Sequence, residues 1–497
     1  MIQQGKQTVS GLTACRRGKP DLKSQENCTE NREERQNIIS ADEARQNGKM
    51  IRQTCKRRSH GNWEYTRDRD HIIELLKEQE RTRIRELIPI RHERMSASPF
   101  AFYRGAAIVM ADDLSRTPRT GITVQACGDA HIANFGAFAS PERRLVFDIN
   151  DFDETLPGPW EWDAKRLMTS VEICGRHRGF SENDRAQAVL AAAKIYRRAM
   201  QHFSETGNMS MWYEHIDLEK LYKVHEGELG TQKAWTIHKA AVKTLSKTNE
   251  AAFSKLTEVV DGRIRIRSDP PLIVPLRDMQ GYAENENADK TERIIRDALQ
   301  AYRCSLPRER RILIDRYRVV DIARKVVGVG SVGSRSLIVV MEGVSENDPL
   351  VLQVKEAQAS VLENYLGKST FAEHGRRVIE GQRAIQTAGD ILLGWARIQE
   401  TDGVQRDYYV RQLWDSKGSV NLEKVSPDEL SAIALMCAWT LAHAHAKTGD
   451  RHGIAGYLGQ SKAFEEAMLR FARSYADQNE RDYEVFCGHY QLKGYGR

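Results

Sequence analysis

Apolar positions in the first two-thirds of the chain recur at helical spacing, and from about Asp321 they gather into short runs. Ile72, Ile73, Leu76, Ile84, Leu87 and Ile88 suit one helical face within residues 70–91. Ser181 and Asp184 form a capping pair ahead of Val189, Leu190, Ala193 and Tyr196, which predicts a helix over 181–203. Residues 210–310 read as mostly helical, with a break at Pro270-Pro271. Beyond Asp321 the β-branched and apolar runs 322–329, 336–341, 350–355, 391–398 and 408–413 predict strands, and residues 357–388 predict a helix. The expected order is three strands, a helix, then two strands. Ser426-Pro427-Asp428-Glu429 is a capping box with proline at the first helical position, and Leu430, Ile433, Cys437 and Leu441 then mark a buried stripe.

With 497 residues, the chain has room for about two to four domain-sized units. It has no apolar run of membrane-spanning length and does not open on a signal-type segment, which predicts a cytoplasmic protein without a membrane partner. The eight cysteines form no CxxC pair, so scattered reduced thiols are expected rather than a zinc site or disulfides. The net charge of +6 resides in residues 1–60, where 13 Lys/Arg face 7 Asp/Glu. The rest of the chain is neutral, so no nucleic-acid partner is expected. Residues 1–60 also lack Phe, Trp and Tyr, and are expected to form a disordered basic tail with Lys56, Arg57 and Arg58 solvated.

Three constellations carry chemistry. In Cys127-Gly128-Asp129-Ala130-His131-Ile132-Ala133-Asn134, Asp129 and Asn134 are five residues apart, the interval between base and metal ligand in a kinase catalytic loop. Just downstream an apolar strand delivers Asp151-Phe152-Asp153-Glu154. Phosphoryl transfer needs such parts: a carboxylate to orient or deprotonate the attacking hydroxyl, and a carboxylate with an amide oxygen to hold Mg²⁺ on phosphates. Asp129 is therefore the candidate base, and Asn134, Asp151 and Asp153 are the candidate metal ligands. The bland alternative is a polar turn between strands.

The second constellation is the glycine string Gly328, Gly330 and Gly333. The run after it reads as a strand, which suits a kinase phosphate cover better than a dinucleotide fold, where a helix should follow. The third is Lys355, which ends a strand on the face opposite Leu352 and Val354. A kinase uses such a lysine to hold ATP phosphates, paired with a glutamate of the next helix. Glu363, Glu373 and Glu380 are available, and Glu380 is favoured. Residues 408–413 would supply the backbone that meets adenine, with Arg411 a further nucleotide-binding candidate. Arg104 suits either an acceptor's anion or a structural ion pair. Trp160 and Trp162 suit the core, and His131 suits a loop brace.

The stretches FAFYRGAA, CGDAHIANFG, FDINDFDETLPGPWEWDAKRL, VGVGSVGSRS, GQRAIQTAGDILLGW and LAHAHAKTGD resemble the bacterial domain-of-unknown-function family 2252 over about residues 60–490. That resemblance implies a protein-kinase-like fold. Gly128, Asp129, His131, Asn134, Asp151 and Phe152 are also similar to the aminoglycoside and choline phosphotransferase pattern, and Asp163 resembles the Asp that braces its catalytic loop. Cys127 stands where that pattern has His, and Gln353 where kinases keep a small residue against adenine. The catalytic loop also precedes the glycine loop, the reverse of the usual order. Circular permutation accounts for this. The expected fold is therefore α+β, kinase-like and two-lobed: a mostly helical large lobe from 61–310, a five-stranded small lobe with one helix from 311–415, and helices from 416–497 returning to the large lobe. Gly449-Asp450-Arg451-His452 is a competing catalytic loop in normal order, but it lacks the later Asn and the Asp-Phe strand end. The expected function is ATP- and Mg²⁺-dependent phosphoryl transfer to an unknown small-molecule or protein acceptor. The alternatives are a nucleotide-binding pseudokinase or a kinase-like enzyme that transfers AMP. A two-metal hydrolase is disfavoured because no Gly-Asn-His group occurs.

Overall fold

The computed structural model describes residues 39–494 except 64–68, 70, 218–248, 280–284, 327, 329, 331, 346–347, 401, 414–417 and 419–420. The described strands are β1 Thr123–Ala126, β2 Phe135–Ala139, β3 Leu145–Ile149, β4 Leu156–Pro159, β5 Ile216–Asp217, β6 Thr257–Val260, β7 Arg263–Ile266, β8 Ile273–Pro275, β9 Arg318–Lys325, β10 Ser336–Glu342, β11 Pro349–Ala357, β12 Gly394–Gln399 and β13 Gln405–Gln412. The class is mixed α+β, as expected. The principal sheet runs β12-β13-β11-β10-β9-β8 and is antiparallel throughout. A helix, His374–Ile385, lies between β11 and β12 in sequence, so the strand and helix order read from the pattern is present.

The sheet has six strands rather than five. The sixth, β8, follows Pro270-Pro271 and pairs its backbone with β9 at Ile273–Lys325 and Pro275–Ala323. It belongs to a stretch expected in the large lobe. The rest of that stretch goes the same way. Helix Asn285–Ser305 brings Ile295 and Tyr302 onto the outer sheet face, against Ile322, Val339, Leu352 and Val410. Helix Asn249–Leu256 brings Ala252 and Leu256 onto the other face, against Ala323, Ile338, Val340 and Val351. Helices Asn249–Leu256 and Asn285–Ser305 therefore pack on the two faces of the sheet. The reason is apolar phase: both faces of β9–β11 are apolar, and each face needs a cover. Along β11 the face that carries Val351 also carries Gln353 and Lys355, so alternation turns these polar ends away from the outer core.

The helical part is built from Trp160–His177, Glu182–Glu205, Pro427–Thr448, Arg451–Leu458 and Ala463–His489, whose buried residues form one core with Trp160, Tyr196, Tyr457 and Phe464 at its centre. Trp160 and Trp162 are both buried, as expected. The capping box at Ser426 and Glu429 is formed in both directions. Among the described residues no helix is long and apolar enough to cross a membrane.

Residues 1–38 lie outside the described residues, but residues 40–60 are folded and not part of a tail. Ser40 caps a helix over Ala41–Ile51 by accepting the Glu43 N–H. This helix crosses Arg451–Leu458 so closely that a Cβ on Gly48 would overlap the Gly453 carbonyl. Arg52 donates to the Tyr457 carbonyl (2.8 Å) and Arg57 to that of Leu458 (2.6 Å), so Arg57 is not a solvated charge. Aromatic content misses such a contact because backbone proximity and arginine–carbonyl bonds hold it.

His60, at the end of this segment, is fully buried with Nε2 2.7 Å from the Tyr457 hydroxyl. Burial, helped by Lys165, lowers its pKa from 6.5 to about 3, and burial lowers that of His443 to about 4. Both folded values lie below the unfolded one. Their neutral forms thus contribute stability fully above pH ~6.5, and this is lost as pH falls from there toward the folded values. Between pH 7 and 5 each should cost roughly 2 kcal/mol. Urea unfolding at the two pH values checks this; a His60→Gln protein should lose about half of the pH dependence carried by this pair.

Candidate active site

Two nested strand pairs bring the acidic loops together. β1 pairs with β4 and β2 with β3, so the β1–β2 loop, carrying Asp129 and Asn134, lies against the β3–β4 loop, carrying residues 151–154. The Asn150 N–H donates to the Asn134 carbonyl (2.9 Å), and the Thr155 hydroxyl to that of Ala126 (2.7 Å). Gly128 has φ +83°, and a Cβ there would overlap the Glu154 carbonyl, so the loop needs glycine at this point.

Asp163, in the first turn of helix Trp160–His177, accepts the N–H groups of Cys127 (2.7 Å) and Gly128 (2.9 Å). His445 Nε2 lies 3.2 Å from the same carboxylate, and its Nδ1 lies 2.7 Å from the Tyr196 hydroxyl. The brace implied by the resemblance is thus made. Cys127 is buried, and burial with the nearby Asp163 charge raises its thiol pKa well above the usual value, so it stays protonated. Asp450, the competing catalytic residue, instead caps helix Arg451–Leu458 by accepting the Gly453 N–H (2.8 Å).

Three residues after Asp163, on the same helix, Arg166 donates from Nε to Asp129 Oδ1 (2.6 Å). His131 Nε2 is 3.7 Å from the other Asp129 oxygen. Burial lowers the His131 pKa to about 4, so the ring is neutral at pH 7. Asn134 donates its amide to the carbonyls of Asp129 (3.0 Å) and Asp151 (3.2 Å). These bonds use the amide nitrogen and leave the oxygen as the acceptor end.

From the sheet, Lys355 reaches into this group. It ion-pairs with Asp153 and lies 3.6 Å from Asp151 Oδ2. Burial disfavours its ammonium, but Asp151 and Asp153 outweigh burial and raise the pKa, so the lysine is charged. The Tyr409 hydroxyl donates to Asp153 Oδ1 (2.8 Å). Asp129, His131, Asn134, Asp151 and Asp153 share one cavity of about 230 Å³ with Gly328 and Gly330. Gly333, the third glycine, stands at its edge, where its carbonyl accepts the Ile84 N–H (2.8 Å) and its φ is +90°. Arg94, in helix Ile88–Ser96, donates to the Gly328 carbonyl and Arg83 to that of Val332, which ties these described loop residues to the segment before the helix and to the helix itself.

Glu380 is not the partner of Lys355. It pairs with Arg383 (3.3 Å) on its own helix. The face of His374–Ile385 toward the acidic loop is marked by Arg377 and Gly381, four residues apart, and Glu380 falls beside it. Arg377 donates to the carbonyls of Asp153 (2.7 Å), Thr155 (2.6 Å) and Gln358 (2.9 Å). The adenine expectation also meets a difference. The N–H groups of Gln412 and Leu413 are already bonded, to Asp390 and to the Val351 carbonyl. Arg411 bonds Gln353 (2.9 Å) and the Asn150 carbonyl (3.1 Å), and its charge lies close enough to Lys355 to oppose the lysine's own. Residues 414–417 and 419–420, where that segment continues, lie outside the described residues.

Sequence reasoning missed Arg166, Arg377 and Tyr409. Arg166 had a signal, since it sits one helical turn from Asp163. The other two depend on helix phase and strand register. As for a metal, no group of three or more His, Cys, Asp or Glu able to hold one occurs among the described residues. The Asn134–Asp151 pair still fits Mg²⁺, which is commonly held by one or two carboxylates plus substrate phosphates.

A family model described as "Uncharacterized protein conserved in bacteria (DUF2252)" matches residues 81–489, and the chain belongs to that family. No curated protein and no solved structure matches it.

Proposed function

We propose that this member of DUF2252 is an ATP- and Mg²⁺-dependent phosphotransferase with a circularly permuted kinase-like fold. The observation that carries the reading is convergence. Asp129, Asn134, Asp151 and Asp153 line one cavity with Gly328 and Gly330, about two hundred positions away in sequence, and Lys355 contacts Asp151 and Asp153. Asp129, oriented by Arg166, takes the proton of the acceptor hydroxyl. The acceptor oxygen bonds to the γ-phosphorus of ATP while the bond to the β–γ bridging oxygen breaks, and ADP leaves with that electron pair. Lys355 and the backbone of the glycine loop hold the phosphates. Asn134 and Asp151 would hold Mg²⁺, which neutralises phosphate charge when bound.

Calorimetry of ATP with Mg²⁺ tests this on the wild type and on Lys355→Ala, Asp151→Ala and Asp450→Ala. The first two variants should bind about 10- to 100-fold more weakly, the loss of a charge-assisted contact. Asp450→Ala should bind as the wild type does. A wild type that ignores Mg²⁺-ATP sinks the reading. The Gln353–Arg411 pair favours a second reading, because Arg411 is held by Gln353 beside Lys355, where a nucleotide base is expected to sit in kinases. A nucleotide entering from another direction suits AMP transfer or regulation. Label retained from α-phosphate rather than γ-phosphate would select AMP transfer.

A further inference from the structure

The acceptor side of the cavity carries an uncompensated cation. Arg104, in helix Pro99–Gly105, lines the cavity together with Asp129 and His131. Its Nε is buried and has no hydrogen-bond partner. Among the described residues no carboxylate forms an ion pair with it. The two carboxylates whose fields reach it are already engaged, Asp129 by Arg166 (2.6 Å) and Glu423 by His177 (2.9 Å). What holds the guanidinium in place is apolar and local: it lies over the Phe100 ring (5.9 Å), and Phe100 in turn stacks on His177. A structural ion pair, one of the two roles the sequence allows, is therefore absent among the described residues.

A second buried group points the same way. His131 is 7% exposed, and its Nδ1 also has no partner. A partly buried guanidinium with no ion-pair partner is unfavourable, and an anionic ligand supplies the missing contact. Arginine in particular matches phosphate and carboxylate geometry with paired N–H donors.

We infer that the acceptor is a small hydroxyl compound carrying an anionic group, phosphate or carboxylate, and that Arg104 binds this group next to Asp129. The inference rests on the phosphotransferase reading for the word acceptor, but the anion site itself does not. The same placement disfavours amine-bearing acceptors, because an ammonium group would meet Arg104 in a partly desolvated cavity.

The test uses four probes that share a hydroxyl: glycerol 3-phosphate, glycerate, glycerol and ethanolamine. Each is titrated calorimetrically into the full chain, with and without Mg²⁺ and a non-hydrolysable ATP analogue. Glycerol 3-phosphate or glycerate should bind at least about tenfold more tightly than glycerol, and ethanolamine should not bind. The stronger of the two anions tells phosphate from carboxylate. Arg104→Gln should remove the preference, Arg104→Lys should restore part of it, and both should bind the ATP analogue within about threefold of wild type. An unchanged urea midpoint for Arg104→Gln shows that the fold is intact. The inference is overturned if glycerol or ethanolamine binds as well as the anions, if Arg104→Gln keeps the preference, or if that variant loses the ATP analogue instead. If the wild type ignores the analogue yet binds the anions through Arg104, the phosphotransferase reading falls and the anion site stands.

Discussion

Asp129→Asn should slow phosphoryl transfer sharply while leaving Mg²⁺-ATP bound. Arg166 occupies one oxygen of Asp129 at 2.6 Å, which leaves the other on the cavity side, 3.7 Å from His131 Nε2. An amide keeps the shape but cannot take a proton from an attacking hydroxyl. General-base assistance contributes about 10²–10⁴-fold, so turnover should fall by that factor. Nucleotide affinity should move by no more than about threefold, because Lys355, Asn134 and Asp151 carry the phosphate and metal contacts in this reading. Hydrolysis of Mg²⁺-ATP, with water as surrogate acceptor, gives the turnover, and calorimetry gives the affinity. A variant that hydrolyses ATP at the wild-type rate removes Asp129 from the mechanism. A variant that loses ATP binding as well makes it a nucleotide or metal ligand instead.

Asp163→Ala should give the largest loss of stability of any change near the site. Asp163 is 1% exposed and serves four groups at once: the Cys127 and Gly128 N–H donors, His445, and through His445 the Tyr196 hydroxyl. Alanine leaves one buried and one part-buried backbone donor and an imidazole without their acceptor. Each orphaned buried donor costs about 1–3 kcal/mol, and breaking a buried charged network costs about 3–5 kcal/mol. A loss of about 4 kcal/mol is expected from urea unfolding. Asp163→Asn keeps one acceptor oxygen and should lose about half of that. If alanine costs less than about 1 kcal/mol, the loop does not depend on this brace.

The sequence exposes these features unevenly, and the reasons are physical. The strand and helix order of residues 318–412 is legible because β9–β11 are short runs rich in β-branched and apolar residues, separated by Gly and Asp-Pro signals. The helix after Ser426 is legible because its cap is written in four consecutive residues. β8 is not, since three residues next to a Pro-Pro pair carry no period and join the sheet only because β9 offers a free edge. The fold of residues 40–60 is hidden because glycine crossings and arginine–carbonyl bonds leave no apolar pattern. At the site, Asp129, Asn134 and Asp151 are legible by spacing, and Lys355 by its place at a strand end. The partner of Lys355 is not. Choosing among glutamates assumes that the following helix presents a carboxylate, whereas this helix sends Arg377 to backbone carbonyls and the acidic loop supplies Asp151 and Asp153.

The brace on the catalytic loop has a consequence for the birth of the protein. Asp163 and His445 are separated by 282 residues. A ribosome adding about 5–20 residues per second needs roughly 15–55 s to make the second after the first. During that interval the β1–β4 and β2–β3 pairs can form on the nascent chain while Asp163 lacks its imidazole, and for about the first two-thirds of it the acidic loop also lacks Lys355. The emerging polypeptide therefore carries Asp151 and Asp153 before their lysine exists, while Asp129 already has Arg166 within reach on the same nascent segment.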